Sequence, residues 1–563
     1  MRIRPIFNLV MAAGLLISPS ATFAEGLAGA YLSANHANVT NDYVAAADFY
    51  SKALAQDPTD AFMLQNALLS YVAIGELDKA IELAREITKL DFRSQLSDLI
   101  IIVSNVQDKD FKSELKLLEE AKDRLSPLLY DLLKGWALVG SGDMSAATKH
   151  FDSMIKPDAL RVFGQYHKAL AVAMAGDFEL ADKIMQGDSG NALHLNRSSL
   201  IAHAQILSQL EKFDEAAAIL AGNSVGATDQ QISDLYDKMK SKQSVPFDFI
   251  KSAQDGVSET FLTLASVLSG EEDERFSLIY ARMAEFLGPN NIQSLLLLAN
   301  TLRGQEQYDL ATQVLAKVPT DHPMYLNAEL SRADTLVDAG KPQAAIAVLQ
   351  RLAASSPDVA RVHMILGDVY SGEKQFRKAN KAYTVAIELL KKENAAQWFL
   401  YYARGVSYER LDEWGKAEAD FRKSLELSPN QPSTLNYLGY SLVEKGIKLE
   451  EAQELIERAV KGRPNDGFIT DSLGWLLYRI GKFDEAVAPM EKAVELTPND
   501  PIINDHLGDV YWKANRIREA RFQWRRALSF GPEEKDAERI RRKLEVGLDE
   551  VLTSEKAATT NAN

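Results

Sequence analysis

A single spacing governs what this chain can fold into. Gly405, Gly439, Gly474 and Gly508, the first after an Arg and the other three after a Leu, stand at intervals of 34, 35 and 34 residues. The register continues upstream through Gly367, Ala333, Ala299 and Ala265, with a four-residue insertion at Lys391 to Asn394. Twelve residues after each reference stands a second small residue: Ser277, Ala311, Ala345, Ala379, Ala417, Ala486 and Ala520, with Ala452 displaced by one residue near Gly446 and Ile447. Pro289, Pro357, Pro429, Pro498 and Pro532 close many of the units at 24 residues. A residue before Pro is driven out of the helical region, so each unit stops there. Pro501 sits where a first helical turn accepts it, with Asp500 as N-cap. The unit is therefore helix, turn, helix, stop. Two antiparallel helices approach closely only where side chains are small, which sets the Gly or Ala of the first helix against the Ala of the second.

A repeat array packs each unit on its neighbours, so the chain's 563 residues do not imply three or four globules. The pattern resembles the tetratricopeptide repeat (TPR) family. Pro501 to Pro532 carries Leu507, Gly508, Tyr511, Ala520, Trp524, Ala527 and Pro532, and the preceding unit carries Leu473, Gly474, Ala486, Ala493 and Pro498, with Leu477 where Tyr is usual. The resemblance implies an all-α fold, a right-handed α-solenoid of TPR helix-turn-helix repeats, in one run or in two halves.

The organisation expected is a signal peptide at 1–24, a degenerate TPR-like solenoid at 25–224, an irregular connector at 225–257, a TPR solenoid at 258–532, a capping helix at 533–552 and a disordered tail at 553–563. In the N-terminal half, Ala34 with Ala46, Leu68 with Ala80, Gly135 with Ala147, Ala169 with Ala181 and Ala204 with Ala216 keep the register. Ser94 to Lys122 reads as helical without the small pair. The connector contains "KSKQSVPFDF", with a Pro and no amphipathic helix around it. In the cap, Ile540, Leu544, Leu548 and Leu552 form one apolar stripe.

Arg2 and Arg4, the short apolar run from Ile6 to Ile17 and the small residues of Ala21 to Ala24 read as a secretory signal cleaved after Ala24. The run is shorter than the ~20 residues that span a membrane, and no later segment is more apolar, so no transmembrane segment is expected in the mature chain. There is no cysteine, which excludes disulfides and thiolate chemistry and is expected to leave no lipid anchor on an N-terminal Cys. Taking Arg2 and Arg4 from the 63 basic residues leaves 61 against 79 acidic, a net charge of −18. So acidic a surface repels phosphate backbones, and nucleic acid is not an expected partner.

Chemistry is sparse. "GNSVG" (Gly222 to Gly226) matches a hydrolase elbow but follows a helix instead of a strand, so it reads as a helix end. The eight histidines show no metal-ligand spacing, and Glu271 to Glu274 reads as a solvated turn. No catalytic residue, cofactor or metal is expected.

What remains is surface. The resemblance implies that first helices line a concave face and that ligand contacts come from positions 2, 5, 9, 12 and 13 of each unit. In the last four repeats these positions include Phe399, Tyr402, Tyr440, Phe468, Asp471, Trp475, Tyr478, Asp505, Asp509 and Trp512, an aromatic and acidic groove of the kind that forms interaction hot spots. Acids at Asp471, Asp505 and Asp509 would repel a carboxylate tail. The last two repeats are also similar to envelope TPR adaptors of carboxyl-terminal processing proteases. The expected function is a non-enzymatic interaction scaffold or adaptor in a bacterial cell envelope, exported to the periplasm or held peripherally at the outer membrane. It would bind a protein or peptide, such as an envelope protease or export machinery. The alternative is an assembly or export scaffold for polysaccharide or outer-membrane components.

Overall fold

The computed structural model describes residues 26–154, 158–187, 193, 196–222, 229–270, 275–390 and 397–562. The expected signal peptide at 1–24, Lys391 to Asn394, Glu271 to Glu274 and Asn223 to Gly226 lie outside these residues. All regular structure among the described residues is helical, 31 helices from Leu27–Val39 to Leu548–Ala562. None is long and apolar enough to cross a membrane.

Helices come in antiparallel pairs, an α-solenoid built unit by unit. The start of a pair is fixed by a cap: Asp500 accepts from the Ile502 and Ile503 amides, both at 2.9 Å, with Pro501 in the first turn. The turn inside a pair places one residue at positive φ, as at Lys374, Asp412, Gly481 and Asn515. The small residues are buried as spaced, Ala417, Ala452, Ala486 and Ala520 completely.

The close approach itself differs from the sequence reading, which set each reference glycine against the small residue at twelve. A Cβ on Gly405 would lie 2.8 Å from the Phe421 ring, and one on Gly367 would lie 2.5 Å from Tyr383. Met490 covers Gly474 and Trp524 covers Gly508 in the same way. The covering side chain is large and comes sixteen residues after the glycine. The glycine is small because a ring or long chain lies against it, and burying that side chain adds to the unit's apolar stabilisation.

The chain divides into two compact units, Met1–Val348 and Leu349–Asn563. The sequence reading breaks the chain earlier, at 225–257. That stretch instead carries a helix, Gln230–Lys240, and a non-helical run before Ala253–Leu268. It stays in the first unit because the pair that follows it, Ala253–Leu268 and Arg275–Leu287, packs back onto much earlier first helices. Trp136, fully buried, lies flat on Gly256 and donates its indole N–H to His167 Nδ1 at 2.9 Å. The Tyr166 hydroxyl donates to Glu259 Oε1 at 2.8 Å. Arg282 donates to the Ala73 carbonyl at 2.9 Å and to Glu285 at 2.9 Å. Counting from Gly135 and Ala169, Trp136 and Tyr166 stand at positions 9 and 5 of their repeats. The face that would hold a foreign ligand therefore holds the chain's own helices.

At the other end, two helices, Glu534–Val546 and Leu548–Ala562, stand where one capping helix and a frayed tail were expected. Gly547, at φ 85°, makes the turn between them, and the Trp512 ring lies against it, 2.7 Å from where a Cβ would be.

Candidate functional site

In the second unit the first helices Trp398–Glu409, Pro432–Lys445, Gly467–Arg479 and Pro501–Lys513 carry the ten expected groove residues. Neighbouring first helices are joined by a series of polar bridges. Glu409 accepts from the Tyr437 hydroxyl at 3.2 Å. Glu444 accepts from Trp475 Nε1 at 2.5 Å and from Arg479 at 3.2 Å. Asp471 faces His506 Nδ1 at 3.0 Å. Asp505 and Asp509 together take the Lys543 ammonium of the first capping helix, at 2.7 to 2.9 Å. In every case the acid lies on the earlier helix and its partner on the next.

The bridges close much of the expected groove. Trp475 is stacked between Tyr478 at 4.7 Å and His506 at 3.9 Å, and all three rings are buried. Burial works against charge on His506, but the Asp471 carboxylate, with Asp505 and Asp509 behind it, outweighs burial and raises the imidazole's pKa, so Trp475 stacks on a cation-prone ring. Burial, with the Asp509 carboxylate beside it, raises Asp505, while Lys543 pulls the other way. Lys543 is fully buried, 0% exposed, and Arg539 stands 3.8 and 3.7 Å from the same two acids. The Trp512 indole donates to Asp549 at 2.9 Å, and Lys513 pairs with the same carboxylate.

Three of the ten residues are thus engaged by the chain's last two helices: Asp505 and Asp509 are buried and form no open surface, while Trp512 is left half-buried. Asp471, Trp475 and Tyr478 are buried in the stack. A free acidic groove is therefore not what the fold presents, and repulsion of a carboxylate tail by these acids does not follow from it. Four candidates keep access: Phe399, Tyr402 and Tyr440 are half-buried, and Phe468 is 58% exposed. Tyr402 leans on Trp398, Phe421 and Tyr437, with centroids 5.9 to 6.2 Å apart.

Sequence reasoning missed Arg539 and Lys543. The signal was present in the register: they follow Asp505 and Asp509 by one 34-residue period, so opposite charges occupy equivalent positions of consecutive first helices. Among the described residues no group of three His, Asp or Glu converges as a metal site requires. Of the Gly222 to Gly226 motif only Gly222 is described, at the end of the helix Phe213–Gly222.

Profiles described as tetratricopeptide repeat match residues 330–397, 398–431 and 438–501, the stretch in which reference glycines, the large side chains that cover them and the paired helices are observed. These are tetratricopeptide repeats. A TPR repeat-containing protein of Pseudomonas aeruginosa is 32% identical over 159 residues, 28% of this chain and 26% of that protein. Human tetratricopeptide repeat protein 13 is 29% identical over 171 residues, 30% of this chain and 19% of that protein. The chain thus spans about a quarter or less of the length of these relatives. Among solved structures, the APC/C hetero-tetramer Cut9-Hcn1 aligns at TM-score 0.39 and 16% identity, covering 92% of this chain and 96% of that one. A tetratricopeptide repeat protein from Parabacteroides merdae aligns at 0.38 and 18%, covering 45% and 98%. Both are loose likenesses. TPR arrays of this kind serve as protein-protein interaction scaffolds.

Proposed function

We propose that the protein is a non-enzymatic scaffold or adaptor that holds a protein or peptide against the first helices Trp398–Glu409, Pro432–Lys445 and Gly467–Arg479. The observation that carries this reading is the contrast along one face. Its C-terminal end is sealed where Lys543 and Arg539 cover Asp505 and Asp509, while Phe399, Tyr402, Tyr440 and Phe468 remain accessible. Aromatic side chains with a polar surround are what partner surfaces use as anchors. Ala at both Phe399 and Phe468 should weaken partner binding by about 1–3 kcal/mol with an unchanged melting curve. A photo-crosslinker at Phe468 should trap a partner that one at Phe522, exposed at 62% on a second helix, does not. The same adduct from both positions would sink the reading.

The site of action in this proposal is the bacterial envelope, after export to the periplasm, with peripheral outer-membrane association an option. Its support is the basic start, the short apolar run and the Ala21 to Ala24 segment. Osmotic shock should release a protein beginning at Glu25. Retention with membranes and an uncut N-terminus would refute this part alone. The identity of the crosslinked partner separates an adaptor for an envelope protease from a scaffold for export machinery.

A further inference from the structure

The run from Gln243 to Lys251 has no regular structure, yet it is held in place from one side. It passes back along the helix Arg197–Gln209. The Val245 amide donates to Ser208 Oγ at 2.9 Å and Gln209 Nε2 donates to the Val245 carbonyl at 2.5 Å. The amides of Asp248 and Phe249 both donate to Gln205 Oε1 at 3.1 Å, and Gln205 Nε2 donates to the Asp248 carboxylate at 2.8 Å. Phe247 packs on Phe178 with centroids 6.0 Å apart, and Phe249 fills the space between two apolar clusters. Counted from Ala204, Gln205, Ser208 and Gln209 stand at positions 9, 12 and 13, the register in which Trp475, Tyr478 and Arg479 follow Gly474. Three groove positions of a repeat thus read the main chain of a short non-helical segment. A cavity of about 400 Å³ lies alongside, lined among others by Arg197, Gln231, Gln293 and His322.

We propose that Val245 to Phe249 is a built-in occupant of a peptide-reading face, and that the helix Arg197–Gln209 accepts in its place a non-helical peptide with an acidic residue between two aromatic ones. The occupant defines the ligand chemistry. Gln205 reads two consecutive amides and the carboxylate together, a combination that an acidic residue followed by any residue with an N–H supplies. The two rings supply the apolar contact. Nothing in these contacts requires that the segment be covalently joined to the helix. Ser244, Pro246 and Asp248 remain exposed, so the segment lies on the surface of the unit instead of inside it. Its tether gives it an effective concentration in the millimolar range, which keeps free peptide out until the segment is weakened or drawn away.

The test uses the full chain and a fluorescent peptide of residues Ser244 to Lys251, read by anisotropy. Phe247→Ala combined with Phe249→Ala should bind the peptide at least about tenfold more tightly than the unaltered chain, as loss of a tethered competitor requires. Adding Gln205→Ala should abolish that gain, and a scrambled peptide should not bind. Equal binding of the scrambled peptide, or no gain in a variant with unaltered circular dichroism, overturns the proposal. If the double variant misfolds, Asp248→Lys removes only the exposed carboxylate contact. It should raise affinity by a smaller factor, and no gain there overturns the proposal as well. The outcome is independent of the Phe468 crosslink, which reports on the other unit.

Discussion

Gly508→Ala and Gly474→Ala make the same change at the same position of adjacent repeats, and the structure gives them different costs. At Gly508 a methyl group would fall well inside contact distance of Trp524 Nε1 and Cδ1, with Cε2 at 3.2 Å. The indole cannot yield easily. It is fully buried and donates to Asp509 Oδ1 at 2.9 Å, the carboxylate that also holds Lys543. Overpacking costs about 1–3 kcal/mol, and breaking the buried hydrogen bond adds about 1–3 kcal/mol. Replacing a helical Gly returns roughly 0.5–1 kcal/mol. The net loss is about 1–5 kcal/mol. At Gly474 the obstacle is Sδ and Cγ of the unbranched Met490 side chain, with backbone only at 3.3 Å. A thioether with three rotatable bonds can swing aside, so overpacking costs about 1 kcal/mol and is nearly cancelled by helix propensity. Urea midpoints, with hydrogen exchange across Ile517–Ser529 as a local readout, measure both. Equal destabilisation by the two substitutions would refute the account of the glycine as a seat for a particular covering side chain.

Burial pushes Glu259 up to about 7 from 4.5 and lowers His167 to about 3 from 6.5. Stabilisation from neutral Glu259 is full below its unfolded value and lost as pH rises through about 7, whereas that from neutral His167 is full above 6.5 and lost toward about 3. Hydrogen-exchange protection of Ala253–Leu268 should therefore hold roughly level between pH 4.5 and 6.5 and decline on either side, and Glu259→Gln should remove the decline on the alkaline side. A pH profile unchanged by Glu259→Gln would exclude this origin. Lys543→Met strands two buried carboxylates and should cost about 3–5 kcal/mol, freeing Glu534–Val546 for proteolysis. Adding Asp505→Asn and Asp509→Asn should restore resistance, and a protease pattern identical in all three proteins would contradict the charge-pinned cap.

The paired helices were legible because the period, the prolines and the small residues are consequences of local packing, which repeats wherever the sequence does. Asp500 as N-cap was legible for the same reason. The partner of each glycine was not, since a small residue at twelve and a large one at sixteen both fit a helix facing a helix, and only the rotation of the second helix selects between them. The groove was half legible. Positions transferred from one repeat to the next identify which side chains point to the face, as Trp475 and Phe468 show, but not what covers them. Phe468 is open while Asp505 and Asp509 are closed because Glu534–Val546 continues the array past the last recognisable repeat with Arg539 and Lys543 where acids stood before. In the first unit the covering elements come from distant sequence, and no periodicity announces that Gly256 will meet Trp136.

The hydrogen bond from Arg282 to the Ala73 carbonyl spans 209 residues. A ribosome adding about 5–20 residues per second needs roughly 10–40 s to cover that distance. Over that interval the early repeats exist without the helices that fill their face, and Trp136, made part-way through it, waits for Gly256 with its apolar neighbours uncovered. The time at risk is set by chain connectivity and not by the strength of any contact. Slowing synthesis between codons 140 and 253 should lower the yield of folded protein more than an equal pause placed after residue 348.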